Sequence, residues 1–394
     1  MIICLLGRQP ELGFEELSCL YGTSTVNYFG SDSALVETDG FDVQAVGGTQ
    51  KAGRIITRLS HTDWSSISRF IVDHYSRQLK TSQQKVTLGI SVHGTPRITP
   101  KIITQTALHI KKSLKISGVS CRLVPNKAPA LNTAVSHHNK LGLSPHKIEI
   151  IVVTHGSKTV IAESIGAQNI TALARRDQER PARDAFVGML PPKLALMMVN
   201  MATGLHSTQH NPLTILDPFC GTGVVLQEAW LRGYSVYGSD LSDKMVEYTT
   251  RNLKWLQETH RNVGGDIQAI RQGDATTFKW QEAPRLSAVV CESYLGQPFS
   301  ATPSAAKLRE VRGNCNHIIS QFLTNIHHQL EPGTSLCVAV PAWRDLKTSR
   351  LTRLPLTSEA ELQAFGYEVK SSSPLLYYRE DQVVARDILL LARR

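Results

Sequence analysis

Residues 215–223 read ILDPFCGTG: an apolar strand closing on Asp217, then a turn carrying Gly221 and Gly223, with helix-forming residues 224–232 directly behind it. Glycines let backbone amides approach a ligand closely, and a helix opening just after them presents partial positive charge. The stretch therefore puts a ligand at the carboxyl end of the first strand of a doubly wound sheet. It is not the dinucleotide pattern G-x-G-x-x-G, because Leu226 stands third after Gly223 and Asp217 would repel a pyrophosphate.

The pattern continues outward from this turn. Short apolar strands alternate with amphipathic helices: strand 213–216, helix 224–232, strand 235–238, helix 244–260, strands 267–271 and 288–291, helix 314–330 and strand 336–341. Such alternation predicts an α/β fold with a mostly parallel sheet. Two more acids end strands: Asp240 in VYGSDLS, placed for a ribose diol, and Asp274 in QGDA, placed to accept from an adenine amino group. An acid at Asp217 suits a ligand with a cationic amine. Together the three acids point to S-adenosylmethionine.

After the fourth strand comes CESYLG at residues 291–296. An exocyclic amine is a weak nucleophile because its lone pair is delocalised into the ring. An enzyme acting on one supplies an oxygen that accepts its protons and an aromatic ring that stacks the base. Glu292 and Tyr294 are the candidates for those two tasks.

Charge is uneven along the chain. The 394 residues carry a net charge of +10, yet residues 51–150 alone hold sixteen Lys and Arg against Asp63, Asp73 and Glu149. That basic segment reads as an α/β unit with strands at 86–92, 121–124 and 147–153 and a helix at 100–116, and it fits a polyanion partner. Lys111, Lys112, Lys115, Arg122, Lys127 and Lys140 are its candidate RNA contacts. Residues 2–6 form a strand entering a helix at 11–20, in a first fifty residues that are net acidic. Residues 175–193, RRDQERPARDAFVGMLPPK, break the pattern and read as a hinge into a helix at 194–202.

Composition narrows the class further. The longest apolar runs, 194–199 and 388–392, fall far short of a membrane span, and residues 1–7 lack the basic flank of a secretion signal, so a cytoplasmic protein is expected. Seven scattered cysteines contain no CxxC pair, which supports neither a disulfide framework nor a zinc site. His137-His138 and His327-His328 are adjacent pairs, whose side chains diverge; no metal is expected.

On these motifs the chain resembles the THUMP-domain tRNA guanosine-N2 methyltransferases, which modify the guanine amino group at position 10. LLGRQPELGFEEL looks like the N-terminal ferredoxin-like region. LGISVHG, LKISGVSCRLV and AVSHHNKLG look like the THUMP module. RRDQERPARDAFVGMLPPKLALMMVNMA resembles the joining segment, and YYREDQVVARDILLLARR the closing strand hairpin. The resemblance implies a ferredoxin-like region at 1–60, a THUMP RNA-binding domain at 61–170, a linker at 171–192 and a Rossmann-like class I methyltransferase domain at 193–394. It gives Arg176, Asp177, Arg180 and Pro181 a role in orienting the domains, and Gly188, Leu190, Pro191, Pro192 and Lys193 a role beside the cofactor. The implied cofactor contacts are Asp217, Phe219, Gly221, Gly223, Asp240, Leu241, Asp274, Ala275 and Pro192, with Glu292 and Tyr294 at the base. The partner implied is tRNA or another structured RNA, bound by a monomer; a small activating protein is left open. CESYLG stands where the family carries D-P-P-Y-G. Two other readings therefore stay open: an RNA-binding protein whose methyltransferase domain is non-catalytic, and a DNA amino-methyltransferase.

Overall fold

The computed structural model describes residues 1–394 apart from 96, 185–189, 206–212, 261–263, 282–284 and 300. The chain divides into two compact units, Met1–Pro10 with Tyr21–Ala172, and Glu11–Leu20 with Leu173–Arg394.

The elements of the first stretch are β1 (Ile2–Leu6), α1 (Pro10–Tyr21, most of which belongs to the second unit), β2 (Val26–Tyr28), β3 (Ser33–Val36), β4 (Thr49–Leu59), α2 (Trp64–Leu79), β5 (Val86–His93), α3 (Pro100–Ile116), β6 (Cys121–Leu123), α4 (Thr133–His138), β7 (Lys147–His155) and β8 (Lys158–Ala167). The eight strands make one sheet in the order β2-β3-β1-β4-β8-β7-β5-β6. Helices α2 and α3 bury Ile67, Ile71, Tyr75, Ile103, Ile110 and Leu114 against Leu88, Ile90 and Val152. Their three-to-four-residue spacing is one helical face.

Strand β4 is absent from the sequence reading and ties the first strands to the basic segment, pairing Ile2↔Arg54 with β1 and Lys51↔Ala167 with β8. Its register shifts at Ala52/Gly53 and again at Ile55/Thr57. Each shift breaks the period of two on which a strand is recognised. The expected hinge also starts later than its sequence suggests. Residues 175–178 lie in α5 (Ile170–Gln178), whose first turn is capped when Asn169 Oδ1 accepts the Ala172 N–H at 2.9 Å.

The second unit continues with α6 (Pro192–Gly204), β9 (Thr214–Asp217), α7 (Val224–Leu231), β10 (Ser235–Asp240), α8 (Asp243–Thr259), β11 (Ile267–Gln272), β12 (Ala288–Glu292), α9 (Ala305–His327), β13 (Ser335–Arg344), β14 (Leu351–Thr352), α10 (Glu359–Ala364), β15 (Tyr367–Val369), β16 (Leu375–Tyr377) and β17 (Val384–Arg393). Its sheet runs β11-β10-β9-β12-β13-β17-β15. The first five strands are parallel and β17 inserts antiparallel beside β13. Buried apolar faces cover both sides, with α6 and α7 packed on one and α9 on the other. Helix α9 starts nine residues before the expected Asn314, because Ser304 Oγ accepts the Lys307 N–H at 3.2 Å and caps it there.

The chain leaves β9 for β10 and β11, then returns to β12 on the other flank of β9. Between β9 and β12 the strand order therefore reverses, and ligands of open α/β sheets bind at the carboxyl ends beside such a point. Among the described residues no helix is long and apolar enough to cross a membrane.

Candidate active site

Small-molecule and cofactor pockets run from about 300 to 1,000 Å³; the one at this reversal measures about 920 Å³, at the roomy end of that range. Its wall is formed by strand ends. Asp217 closes β9, Asp240 closes β10, Asp274 follows β11, and Glu292 closes β12, with Ser293 and Tyr294 directly after it.

The turn after β9 is built as its sequence implies. Gly221 and Gly223 have φ of 51° and 81°, the left-handed region. A Cβ on Gly223 would stand 2.9 Å from Thr249 Cγ2, whereas at Gly221 it would meet nothing nearer than Phe219 O at 3.9 Å, an ordinary contact. Gly223 thus serves the fold, and Gly221 keeps backbone clear at the cavity wall.

Asp217 Oδ1 accepts the Phe219 N–H at 3.1 Å. Burial holds its carboxyl well above the usual carboxylate range, and the nearby Asp240 and Glu292 push it further. Burial also raises Asp240, against the two amide bonds it accepts, from Ser242 and Gly221. Asp274 Oδ1 accepts the Thr276 N–H at 2.9 Å and its hydroxyl at 2.7 Å. Three lining charges are paired: Lys244 Nζ lies 2.8 Å from Asp184 Oδ2, both in the wall, and Glu292 is bonded to Arg386. Asp217, Asp240 and Asp274 have no cationic partner among the described residues. The cavity is therefore negative and carries a buried acid that a cationic ligand would ionise.

Of the expected cofactor residues, Asp217, Phe219, Gly221, Asp240, Leu241, Asp274 and Ala275 line this cavity, as do Glu292 and Tyr294. Gly223 and Pro192 do not. Gly223 sits at the amino end of α7, and Pro192 is the first residue of α6, with Leu190 the member of that motif in the wall. Gly188 lies outside the described residues. Arg176 pairs with Glu228, Nε to Oε1 at 2.6 Å, and Asp177 lies 4.0 Å from Arg180, all within this unit. Tyr294 is 41% and Leu241 69% exposed, so both stand at the mouth. The six candidate RNA contacts, Lys111 to Lys140, are exposed on the other unit.

The sequence reading missed part of the wall. Asn314, Ile318 and Gln321 enter from α9, and their i, i+4, i+7 spacing was a readable signal. It also missed Arg386, which bonds Glu292 from β17 some ninety residues later and carries no local signal.

Residues 180–351 match the family model described as UPF0020, RMKL-like, methyltransferase domain. A tRNA (guanine(10)-N2)-dimethyltransferase of Methanothermobacter thermautotrophicus is 33% identical over 174 residues, 44% of this chain and 45% of that one. The chain spans less than half the length of that relative. A Methanothermococcus thermolithotrophicus protein named "Probable tRNA (guanine(10)-N2)-dimethyltransferase" is 30% identical over 131 residues, 33% of this chain and 74% of its own. The chain belongs to this tRNA (guanine(10)-N2)-dimethyltransferase family. The fold agrees with that of TrmN from Thermus thermophilus, with a TM-score of 0.51 at 15% identity over 100% of this chain and 99% of that one. The stretch matched by the methyltransferase-domain model, 180–351, contains Asp217, Asp240, Asp274 and Glu292.

Proposed function

We propose that the protein is an S-adenosylmethionine-dependent methyltransferase acting on the exocyclic N2 amine of guanosine 10 in tRNA. The observation that carries the reading is the negative cavity at the strand-order reversal, where three unpaired strand-end acids meet Glu292 and Tyr294. Family membership supports the same chemistry and substrate.

In this reading Asp217 and the Gly221 turn hold the amino-acid end of the cofactor, Asp240 the ribose, and Asp274 with Ala275 the adenine. Bound there, the cofactor supplies an electrophilic methyl group on a sulfonium. Glu292 accepts a hydrogen bond from the substrate amine and orients its lone pair, and exposed Tyr294 stacks the base. The cation-rich first unit, with residues 1–60 as ferredoxin-like region and 61–170 as THUMP domain, grips RNA phosphates through Lys111, Lys112, Lys115, Arg122, Lys127 and Lys140. Residues 171–192 link it to the methyltransferase domain at 193–394, and the protein works as a cytoplasmic monomer.

The test is incubation with unmodified tRNA and methyl-labelled S-adenosylmethionine, followed by digestion and mass spectrometry of nucleosides. Labelled N2-methylguanosine or N2,N2-dimethylguanosine, lost in Asp217→Ala and Glu292→Ala, is expected. Binding of tRNA with no cofactor binding would overturn the reading in favour of a non-catalytic RNA-binding protein.

A further inference from the structure

Glu292 ends β12 at the cavity wall, opposite Ala339 of β13. On the far side of β13, Pro341 pairs with Arg386 of β17. Arg386 is thus two residues further toward the cavity end of the sheet, and its Nε donates across β13 to Glu292 Oε1. The crossing is open because β12 has already stopped. The Ser293 N–H donates to Ala339 O at 2.9 Å, so Pro341, two residues on, turns its nitrogen to the same side, where no strand needs a donor.

Both partners are largely withdrawn from solvent, their side chains 10% and 14% exposed. Arg386 is braced from behind: Tyr377, its direct partner on β16, sets its ring centroid 5.9 Å from the guanidinium carbon. The neighbouring Asp387 is bound by Arg353 and leaves Arg386 to Glu292. Oε1 of Glu292 is therefore taken, while Oε2 accepts no hydrogen bond among the described residues.

We propose that Arg386 is a positioning residue: its guanidinium pins one oxygen of Glu292 so that the other is presented to the cavity as the ionised acceptor for the substrate amine. The proposal rests on the functional reading above for the identity of that substrate. It explains the extra carbon of Glu292, since an aspartate would fall short of a guanidinium anchored beyond β13. It also separates two tasks. Arg386 touches no reacting atom, and it sets where Glu292 points and keeps it charged in a buried place.

The electrostatics agree in direction. Burial raises the Glu292 carboxyl and Arg386 opposes that rise. Asp217 from β9 and Cys291 on its own strand feel its charge, and Asp274 and Tyr294 share the cavity wall with it. Asn314, Ile318 and Gln321, which α9 brings to the cavity, carry no charge. The one cation of α6, Lys193, interacts with Glu16.

The test begins on the full-length protein without ligands. Carbon-13 carboxyl resonances of labelled glutamate are titrated, with the Glu292 signal assigned by its loss in Glu292→Gln. In Arg386→Met the midpoint should rise by about one to three pH units, as loss of an adjacent opposite charge requires; Arg386→Lys should fall between. On tRNA, Arg386→Met should lose about a hundredfold in kcat at neutral pH, recover at alkaline pH as its acid limb moves up with that midpoint, and keep its KM. Glu292→Asp, which breaks the contact from the other end, should also lose kcat with KM kept. An unmoved midpoint, or a kcat loss equal at every pH, would overturn the proposal, with unfolding temperature tracking any general damage. If the wild type methylates no tRNA, the functional reading fails while the titration still decides what Arg386 does to Glu292.

Discussion

Asp240 Oδ2 accepts the backbone N–H of Gly221 at 2.9 Å, so the acid that ends β10 braces the turn that ends β9. Its Oδ1 accepts the Ser242 N–H at 2.9 Å and anchors the start of α8. Hydrogen bonds to a charged group contribute about 1.5–3 kcal/mol each. Asp240→Ala removes both braces and the proposed ribose acceptor together. S-adenosylmethionine affinity should fall at least about tenfold by calorimetry, which is about 1.4 kcal/mol, while tRNA affinity is unchanged. Equal cofactor affinity in wild type and variant would remove Asp240 from the site.

Asp217 gives the site a pH dependence of defined sign. Its carboxyl is raised in the free protein, and a cationic ligand beside it favours the ionised form, so binding releases a proton. Cofactor affinity should therefore climb as pH rises from the usual carboxylate range through the raised value, then level off. Stability runs the other way: a folded-state pKa above the unfolded one means the native protein holds the proton more tightly, and stability is lost as pH rises through that interval. Asp217→Asn should stabilise the ligand-free protein at neutral pH by roughly 1–3 kcal/mol, weaken cofactor binding and flatten its pH profile. Denaturant titration and calorimetry across pH read both; a variant profile as steep as the wild type's would assign the proton elsewhere.

How much of this was readable in advance follows from the range of each interaction. The turn at 215–223 and the acids at 240 and 274 are local patterns, each made within one strand and its following loop, and the sheet brings all of them to one cavity. The closing hairpin was readable too, and β16 pairs with β17 through Leu375↔Ile388. Strand β4 was not, because its two register shifts erase alternation. Arg386 was not, because its meaning depends on β17 inserting beside β13, a pairing that no property of residues 384–393 announces. Lys51 is one of the sixteen cations counted in the basic segment, yet it is 3% exposed; composition gives a charge's sign and not its depth.

The cations that remain at the surface carry the RNA prediction. Lys111, Lys112 and Lys115 are exposed along α3, whose Ile103, Ile110 and Leu114 face inward. If they meet phosphates, log tRNA affinity should fall linearly with log salt, with a slope of about 0.9 or less per phosphate contacted. Replacing all three lysines by glutamine should make that slope shallower by about two to three and leave S-adenosylmethionine binding alone. A salt dependence already flat in the wild type would return this face to ordinary solvated surface.

Lys51 itself is bound inside the first unit. Its Nζ donates to Glu149 Oε1 at 2.5 Å and to Leu131 O at 2.8 Å, while Ser91 Oγ donates to the same Glu149 oxygen at 2.6 Å and accepts the Leu131 N–H at 2.9 Å. The network joins β4, β5 and β7 to the segment before α4. A buried pair contributes little net stability against an apolar replacement, but removing one partner strands the other and costs about 3–5 kcal/mol. Lys51→Met should therefore destabilise the protein by that amount in urea unfolding, with Glu149→Leu also costly because it strands Lys51. The double variant should cost clearly less than the two losses added, a coupling that double-mutant cycles isolate. Additive losses would mean that Lys51 and Glu149 act separately, and that the sheet does not depend on their pairing.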